Sequence, residues 1–558
     1  MWLVLTLSRN HDSSMAKISF LDYGAGNVRS LRNAIAHLGY EPVDIRRPED
    51  ILQAERLVFP GVGAFGAAMQ RLHELGYVEP LRAYLQADRP FFGICVAMQS
   101  LFEGSEESPG VAGLGVIPGV VQRFADAALA VPHMGWNGVR ALRQSPLLDG
   151  QDPAAKFYFV HSYRAQRDAA NSDWILAETD YGEPFVSAVQ RGQVMAVQFH
   201  PEKSGAVGLE LLRRFLAGEA ARPGAGTAAG VPAPPMPPKP VAAAPTRFAK
   251  RIIACLDVRS NDAGDLVVTK GDQYDVREAG EVRNLGKPVD LARRYYQEGA
   301  DEITFLNITA FRDFPLSDQP MLEVLRRTSE NVFVPLTIGG GIRAFTDADG
   351  CAYSALDVAS EYFRSGADKI SIGSDAVDTV EAVRARGSGD GSSAIEQIAA
   401  LYGNQAVVIS VDPRRVYVAS PESTERPVIE TAIPGPNGER FCWFQCTVKG
   451  GREGRDVDAV ELAQTCEALG AGEILLNSID RDGTGSGFDL ELIAAVRAAV
   501  RIPVIASSGA GCASHFTEVF RHTGVEAALA AGIFHRREVP IAAVKDQLRA
   551  DGIEVRAS

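Results

Sequence analysis

The seven cysteines include no CxxC pair, so the spacings of a structural zinc site and of a dense disulfide scaffold are both missing. A reducing, intracellular setting is the expectation: cytoplasmic, with a plastid as the alternative. No apolar run approaches the roughly 20 residues that cross a bilayer, and no membrane segment is expected. The first 14 residues carry only a short apolar patch, 2–7, with no basic residue ahead of it; they are read as a disordered extension, with Met15 as an alternative start. Positive charge is in deficit. Against 70 Asp and Glu there are 56 Lys and Arg, a net charge of −14, which argues against a general nucleic-acid surface and leaves room for a local phosphate pocket.

A chain of 558 residues holds two to four globular units at about 150 residues each. The stretch 219–246 is dominated by Ala, Pro and Gly and has almost nothing bulky to bury. It reads as a semi-rigid polyproline-like linker between a first unit, 15–218, and a second, 247–558. In the first, strand-like segments at 18–23, 56–59 and 91–95 alternate with helical ones at 28–38, 67–75 and 98–102. More strands follow at 157–163, 175–178, 185–190 and 194–199, then a helix at 208–216. The pattern predicts a doubly wound α/β sheet with a β-rich second half.

The second unit has eight apolar, β-branched runs, at 252–258, 303–308, 332–338, 369–372, 406–411, 474–479, 503–506 and 527–533, with room for helices between most of them. That count predicts a (β/α)8 TIM barrel. Its halves echo one another: ACLDV (254–258) returns as ISVDP (409–413), and TIGGGI (337–342) as ASSGAG (506–511). A duplicated half-barrel accounts for that period.

In the first unit, GICVAMQ (93–99) places Cys95 where a buried strand turns into a helix, the form of a nucleophile elbow. Read alone, a buried core cysteine accounts for Cys95 equally well. QFHPEKS (198–204) ends a strand with His200 and Glu202. A thiol, an imidazole and a carboxylate in that relation make a nucleophilic triad. Between them PGVGAFG (60–66) supplies a glycine-rich turn whose peptide N–H groups, around Val62 and Gly63, suit an oxyanion hole.

These motifs, with DYGAGN (22–27), PHMGWN (132–137) and FVHSY (159–163), resemble the class I glutamine amidotransferase family. The resemblance is closest to the glutaminases of the imidazole glycerol phosphate synthase family. It implies that Cys95 attacks the side-chain amide of L-glutamine, His200 moves the proton, Glu202 orients His200, and ammonia and glutamate leave. One position departs from the family pattern: the elbow ends on Ala97 in place of glycine, which predicts altered but retained activity.

At a barrel's mouth, chemistry belongs to the C-terminal ends of the strands. Asp257 and Asp412 are read as ending the first and fifth strands, facing one another as a general acid–base pair; a cap on the following loop is the plainer account of either alone. The clusters at 339–341 and 508–511 suit two anions on opposite sides, hence a long bisphosphorylated ligand. AKRIIACLDV (249–258), VTKGDQ (268–273), ADKISIGS (367–374), QAVVISVD (405–412), GAGEILLNSIDRDGTGSG (470–487), IPVIASSGAG (502–511) and AALAAGIFH (527–535) resemble the cyclase of the same family across nearly the whole unit.

By that resemblance, Lys270, Asp482 and Thr484 bind substrate. Phosphate contacts fall on Gly340, Gly373, Ser374, Gly483, Gly509 and Gly532. The family often has Gly at 508 and Ser at 532, where this chain has Ser508 and Gly532, which costs one side-chain contact. The implied ligands are L-glutamine and a bisphosphorylated aminoimidazole carboxamide ribotide derivative. No metal, organic cofactor or nucleic acid is implied, and fusion of both units predicts a monomer.

Four charged residues stand at strand starts: Arg251, Glu302, Lys369 and Glu473. Charges often punctuate the solvated bottom of a barrel. In the family resembled, the glutaminase docks there and ammonia passes through the bore, so the four are read as an ammonia gate, with Lys203 near the docking face. Segments 382–393 and 416–449 exceed a compact barrel, and the second reads as a long loop, either a lid or a passive insertion. Two other readings are a phosphoribosyl isomerase, which leaves the ammonia unused, and a first unit that is an inert regulatory module.

Overall fold

A computed structural model describes residues 15–24, 26–126, 128–221, 245–260, 266–269, 287–308, 316, 320–347 and 349–557. The extension 1–14, most of the linker and Lys270 lie outside the described residues. The first unit is built on an eight-stranded sheet. Five strands run parallel: Glu41–Asp44, Lys17–Phe20, Leu57–Phe59, Phe91–Ile94 and Val194–Val197. Glu183–Arg191, Ile175–Tyr181 and Arg140–Ala141 then continue it antiparallel. The buried parallel strands are continuously apolar, as a sheet covered on both faces requires. The short strand Glu41–Asp44 and the helices Pro48–Gln53 and Val78–Gln86 were not expected.

The second unit closes into the expected barrel. Its strands are β1 (Arg251–Ser260), β2 (Glu302–Asn307), β3 (Leu336–Gly339), β4 (Lys369–Ile372), β5 (Val407–Val411), β6 (Glu473–Asn477), β7 (Val504–Ser507) and β8 (Ala527–Ala530). All pair in parallel in that order, and β8 returns to β1 with Arg251 opposite Ala527. Helix ends follow from local chemistry. Ser354 and Ser393 cap Ala355–Ser365 and Ala394–Tyr402 through reciprocal bonds with Asp357 and Glu396, and Gly366 ends the former in the left-handed conformation.

Strand periodicity decides what enters the bore. Alternate residues point to opposite faces, and Ile253, Cys255, Val408, Leu475, Ile505, Ala527 and Leu529 form an inner cluster apart from the core beneath the helices. Arg251 and Asp257 share the parity of Ile253 and Cys255. They stand six positions apart, about 20 Å at the rise of a strand, so β1 carries one charge at the bottom of the bore and the other at its top.

Two expectations are corrected here. Residues 416–449 are not a long loop: they belong to an antiparallel sheet of Pro413–Val418, Phe441–Val448, Ile429–Glu430 and Glu453–Asp458. Arg415 pins it to the barrel by ion pairs to Asp489 at 2.5 Å and Glu491 at 2.8 Å. Residues 382–386 complete the helix Ser374–Arg386. The end of the expected linker is also fastened. Thr246 exchanges hydrogen bonds with Asp180, both 2.7 Å, Phe248 packs against His133 and Tyr181, and Ala249 bridges to Trp136.

Candidate active site

Cys95 sits between the strand Phe91–Ile94 and the short helix Val96–Ser100, with φ +52 and ψ −110. That backbone is uncommon for a non-glycine residue and lifts the side chain clear of the turn. Close packing around the elbow depends on Gly61: a Cβ there would lie 1.9 Å from the Ile94 carbonyl oxygen and 2.3 Å from the Ala97 nitrogen. Ala97 is fully buried within this arrangement, so the elbow takes its extra methyl.

His200 follows the neighbouring strand Val194–Val197, which brings it to Cys95 through parallel pairing. Its Nδ1 is 2.8 Å from Glu202 Oε1, and its side chain also hydrogen-bonds Cys95. Burial alone lowers the imidazole's pKa, yet the Glu202 and Cys95 charges outweigh it and hold His200 well above its ordinary range. The three side chains thus meet as expected. The glycine-rich turn differs in one respect. The Val62 N–H, expected to be free, donates to the Tyr23 hydroxyl at 3.2 Å, and that hydroxyl donates to the Val62 carbonyl at 2.5 Å.

A cavity of about 60 Å³ joins the two units. Cys95, His200 and Val62 line it from one side, and Asp368, Lys369 and Gln405 from the other. Asp368 takes an ion pair from Lys203 at 2.6 Å and a hydrogen bond from Asn27 at 2.7 Å. Lys203 was expected at this face. Asn27 and Asp368 lay in motifs already noted, but nothing local marks them as partners 341 residues apart.

Beyond the cavity the four strand-start charges close into a ring. Arg251 is 2.8 Å from Glu302 and pairs with Glu473; Lys369 is 2.6 Å from Glu302 and 2.5 Å from Glu473. None exposes more than 1 % of its side chain. Burial raises the Glu302 carboxyl's pKa, but Lys369 and Arg251 overcome it and hold it below the usual range. Lys369 also reaches the first unit, with Met134 Sδ 3.6 Å from its ammonium.

At the opposite mouth Asp412 directly follows β5, as expected. Asp257 does not end β1: the strand runs three residues further, paired with Leu266–Thr269. Asp257 is nearly buried, with Cys255 Sγ 4.0 Å away. Asp412 receives hydrogen bonds from Asn477 at 2.8 Å and Ser410 at 3.3 Å. Burial nevertheless raises its pKa. The inserted sheet holds its backbone, since Thr447 donates to the Asp412 carbonyl from both N–H and hydroxyl.

The remaining predicted residues surround the same mouth. Gly340 follows β3, Gly373 and Ser374 follow β4, Asp482, Gly483 and Thr484 lie in the loop after β6, and Gly509 and Gly532 follow β7 and β8. Both hydroxyls among them are already engaged: that of Thr484 donates to the Arg481 carbonyl, and that of Ser374 accepts from the Lys449 N–H. Ser508 has φ +74, a left-handed backbone that glycine adopts most readily. Its hydroxyl bonds Asp482, whose carboxyl burial pushes up.

Residues 19–218 match the family described as glutamine amidotransferase class-I, and 251–540 the one described as histidine biosynthesis protein. Across both, a relative from Arabidopsis thaliana named imidazole glycerol phosphate synthase hisHF, chloroplastic, is 59% identical over 552 residues, 98% of this chain and 91% of the relative. This chain belongs to the imidazole glycerol phosphate synthase hisHF family. Members from Emericella nidulans and Schizosaccharomyces pombe are each 54% identical over 97% of this chain and 99% of their own. The unit matching the amidotransferase family is seated over the Lys369 end of the barrel.

Proposed function

We propose that the chain makes imidazole glycerol phosphate in histidine biosynthesis, using ammonia that it releases from glutamine. The Cys95 thiolate attacks the glutamine side-chain carboxamide carbon. His200, aligned by Glu202, delivers the proton with which ammonia departs, and water then frees glutamate from the thioester. Peptide N–H groups at Val62 and Gly63 take up the oxyanion, which requires Val62 to leave Tyr23.

Ammonia released into neutral water would mostly become ammonium, which is no nucleophile. We assign the ring of Arg251, Glu302, Lys369 and Glu473 as the gate through which it enters the bore. At the far mouth it attacks phosphoribulosyl-formimino-aminoimidazole carboxamide ribotide. Asp412, raised by burial, suits the proton donor, and Asp257 the acceptor, as the ring closes and aminoimidazole carboxamide ribotide leaves. Lys270, Asp482 and Thr484 bind this substrate, and the N–H groups of Gly340, Gly373, Ser374, Gly483, Gly509 and Gly532 its two phosphates.

The observation that carries this reading is the shared cavity, in which the thiol's surroundings and Lys369 of the ring face one another. Both sites lie on one chain, in support of a monomer of units 15–218 and 247–558 joined by 219–246. All seven cysteines are free, in support of a reducing compartment: the cytoplasm, or a plastid as the name of the Arabidopsis relative suggests. Among the described residues no helix is long and apolar enough to cross a membrane. The test is product formation by Cys95→Ala. It should lose all synthesis from glutamine and keep synthesis from ammonium salt; a variant that still uses glutamine refutes the assignment.

A further inference from the structure

We infer that Gln198 is a catalytic residue of the glutaminase, a neutral donor to the Cys95 sulfur held in the one orientation that permits it. The inference rests on the reading of Cys95 as the nucleophile. Gln198 follows the strand whose Val197 lies opposite Ile94, so sheet register carries it alongside Cys95. Its Nε2 is 3.4 Å from Cys95 Sγ, and both residues are buried. A donor here favours the thiolate without adding a second cation beside His200.

A carboxamide turned by 180° would aim its oxygen at the sulfur and oppose the same charge, so orientation decides the sign of the effect. A backbone carbonyl, Tyr163 O, settles it, because a carbonyl can only accept. It receives Gln99 Nε2 at 3.0 Å and His161 Nδ1 at 2.7 Å. The same Gln99 nitrogen reaches Gln198 Oε1 at 3.1 Å. Gln198 must therefore turn its oxygen to Gln99 and its nitrogen to Cys95.

The other branch is equally directed. With a proton on Nδ1, neutral His161 accepts at Nε2 from His133 Nδ1, 3.2 Å away, and His133 Nε2 accepts from Asn137 at 3.2 Å. Asn137 also donates to a second carbonyl, Asp180 O, at 3.0 Å. Phe124, Tyr181 and Phe185 enclose the imidazoles. Burial holds both neutral: His133 falls well below its ordinary range and His161 to about 3. The chain of donors thus keeps its direction throughout the neutral pH range, anchored by acceptors that cannot reverse. Gln99 is therefore the positioning residue for Gln198, and the imidazole branch shares only its carbonyl acceptor.

The test is alkylation of Cys95 by iodoacetamide in the full chain, followed on the Cys95 peptide by mass spectrometry from pH 6 to 10, beside glutaminase kinetics and ammonium-dependent synthesis. Gln198→Leu should slow alkylation at pH 7 about tenfold and recover most of the deficit by pH 10. Its kcat should fall in parallel with KM little changed, and ammonium-dependent synthesis should persist. Gln198→Glu keeps the shape and reverses the polarity, so it should be slower still at pH 7. Gln99→Leu frees the amide to turn and should give a smaller loss. Unchanged alkylation at pH 7 in both Gln198 variants, or an equal deficit at every pH, overturns the inference. If instead Cys95→Ala retains glutaminase activity, it is the underlying assignment of the nucleophile that fails.

Discussion

Replacing Lys369 by methionine tests the gate and the electrostatics of the bore together. The ring holds two cations and two anions in full burial. Lys369→Met leaves Arg251 to balance both Glu302 and Glu473, an excess of one buried negative charge. Breaking a buried pair in this way costs about 3–5 kcal/mol, a fall in Tm on the order of 10 °C for a domain of this size. The pH dependence has a definite sign. In the intact protein the Glu302 carboxyl is held below its usual range, so its contribution is present above the unfolded carboxylate value, about 4.3, and is lost as pH falls through the folded value. Without Lys369 a carboxylate of the ring gains from protonation, so the gap between variant and parent should narrow from pH 8 to pH 5. Function is read as glutamate formed per imidazole glycerol phosphate. That ratio should be about one in the parent and should rise several-fold in the variant, because ammonia escapes at a broken gate. An unchanged ratio would make the ring purely structural, and an unchanged Tm would refute the charge accounting.

Two further perturbations address the other sites. Glu202→Gln removes the largest influence raising His200. A raised imidazole contributes stability that is fully present below its unfolded value, about 6.5, and is lost as pH rises through the folded value. The Tm deficit of the variant should therefore be largest near pH 6 and shrink in alkali, with glutaminase activity down roughly a hundredfold or more and ammonium-dependent synthesis retained; a deficit that grows with pH contradicts the ion-pair account. Arg415→Ala strands the buried Asp489 and loosens the inserted sheet that holds the Asp412 carbonyl. Thermal stability should drop by about 3–5 kcal/mol, and ammonium-dependent synthesis should fall while unstimulated glutaminase activity stays, as parallel assays would show.

Motif and periodicity made much of both sites legible. The elbow, the imidazole–carboxylate pair and the aspartates are each carried by a few consecutive residues at the end of an apolar run. The ring was legible too, since a charge on the first inward-facing residue of a barrel strand has only the bore to enter. Other features had no local mark. Pro413 pairs with Cys446, and nothing in either stretch names the other, so a four-stranded sheet reads as a long loop. The hold of Tyr23 on Val62, and the bond of Asn27 to Asp368 across the two units, depend on contacts no spacing encodes.

By itself the sequence determined the two fold classes, most of their principal strands and helices and the chemical groups each offers, because these follow from side-chain type and short-range period. The tertiary structure alone decided which groups meet: that the thiol's cavity opens beside Lys369, that four separate strand starts neutralise one another inside one bore, and that an amide at 198 turns its nitrogen to sulfur. Such pairings depend on sheet register and barrel closure. Both are set by the burial of many apolar residues at once, so no single segment carries them.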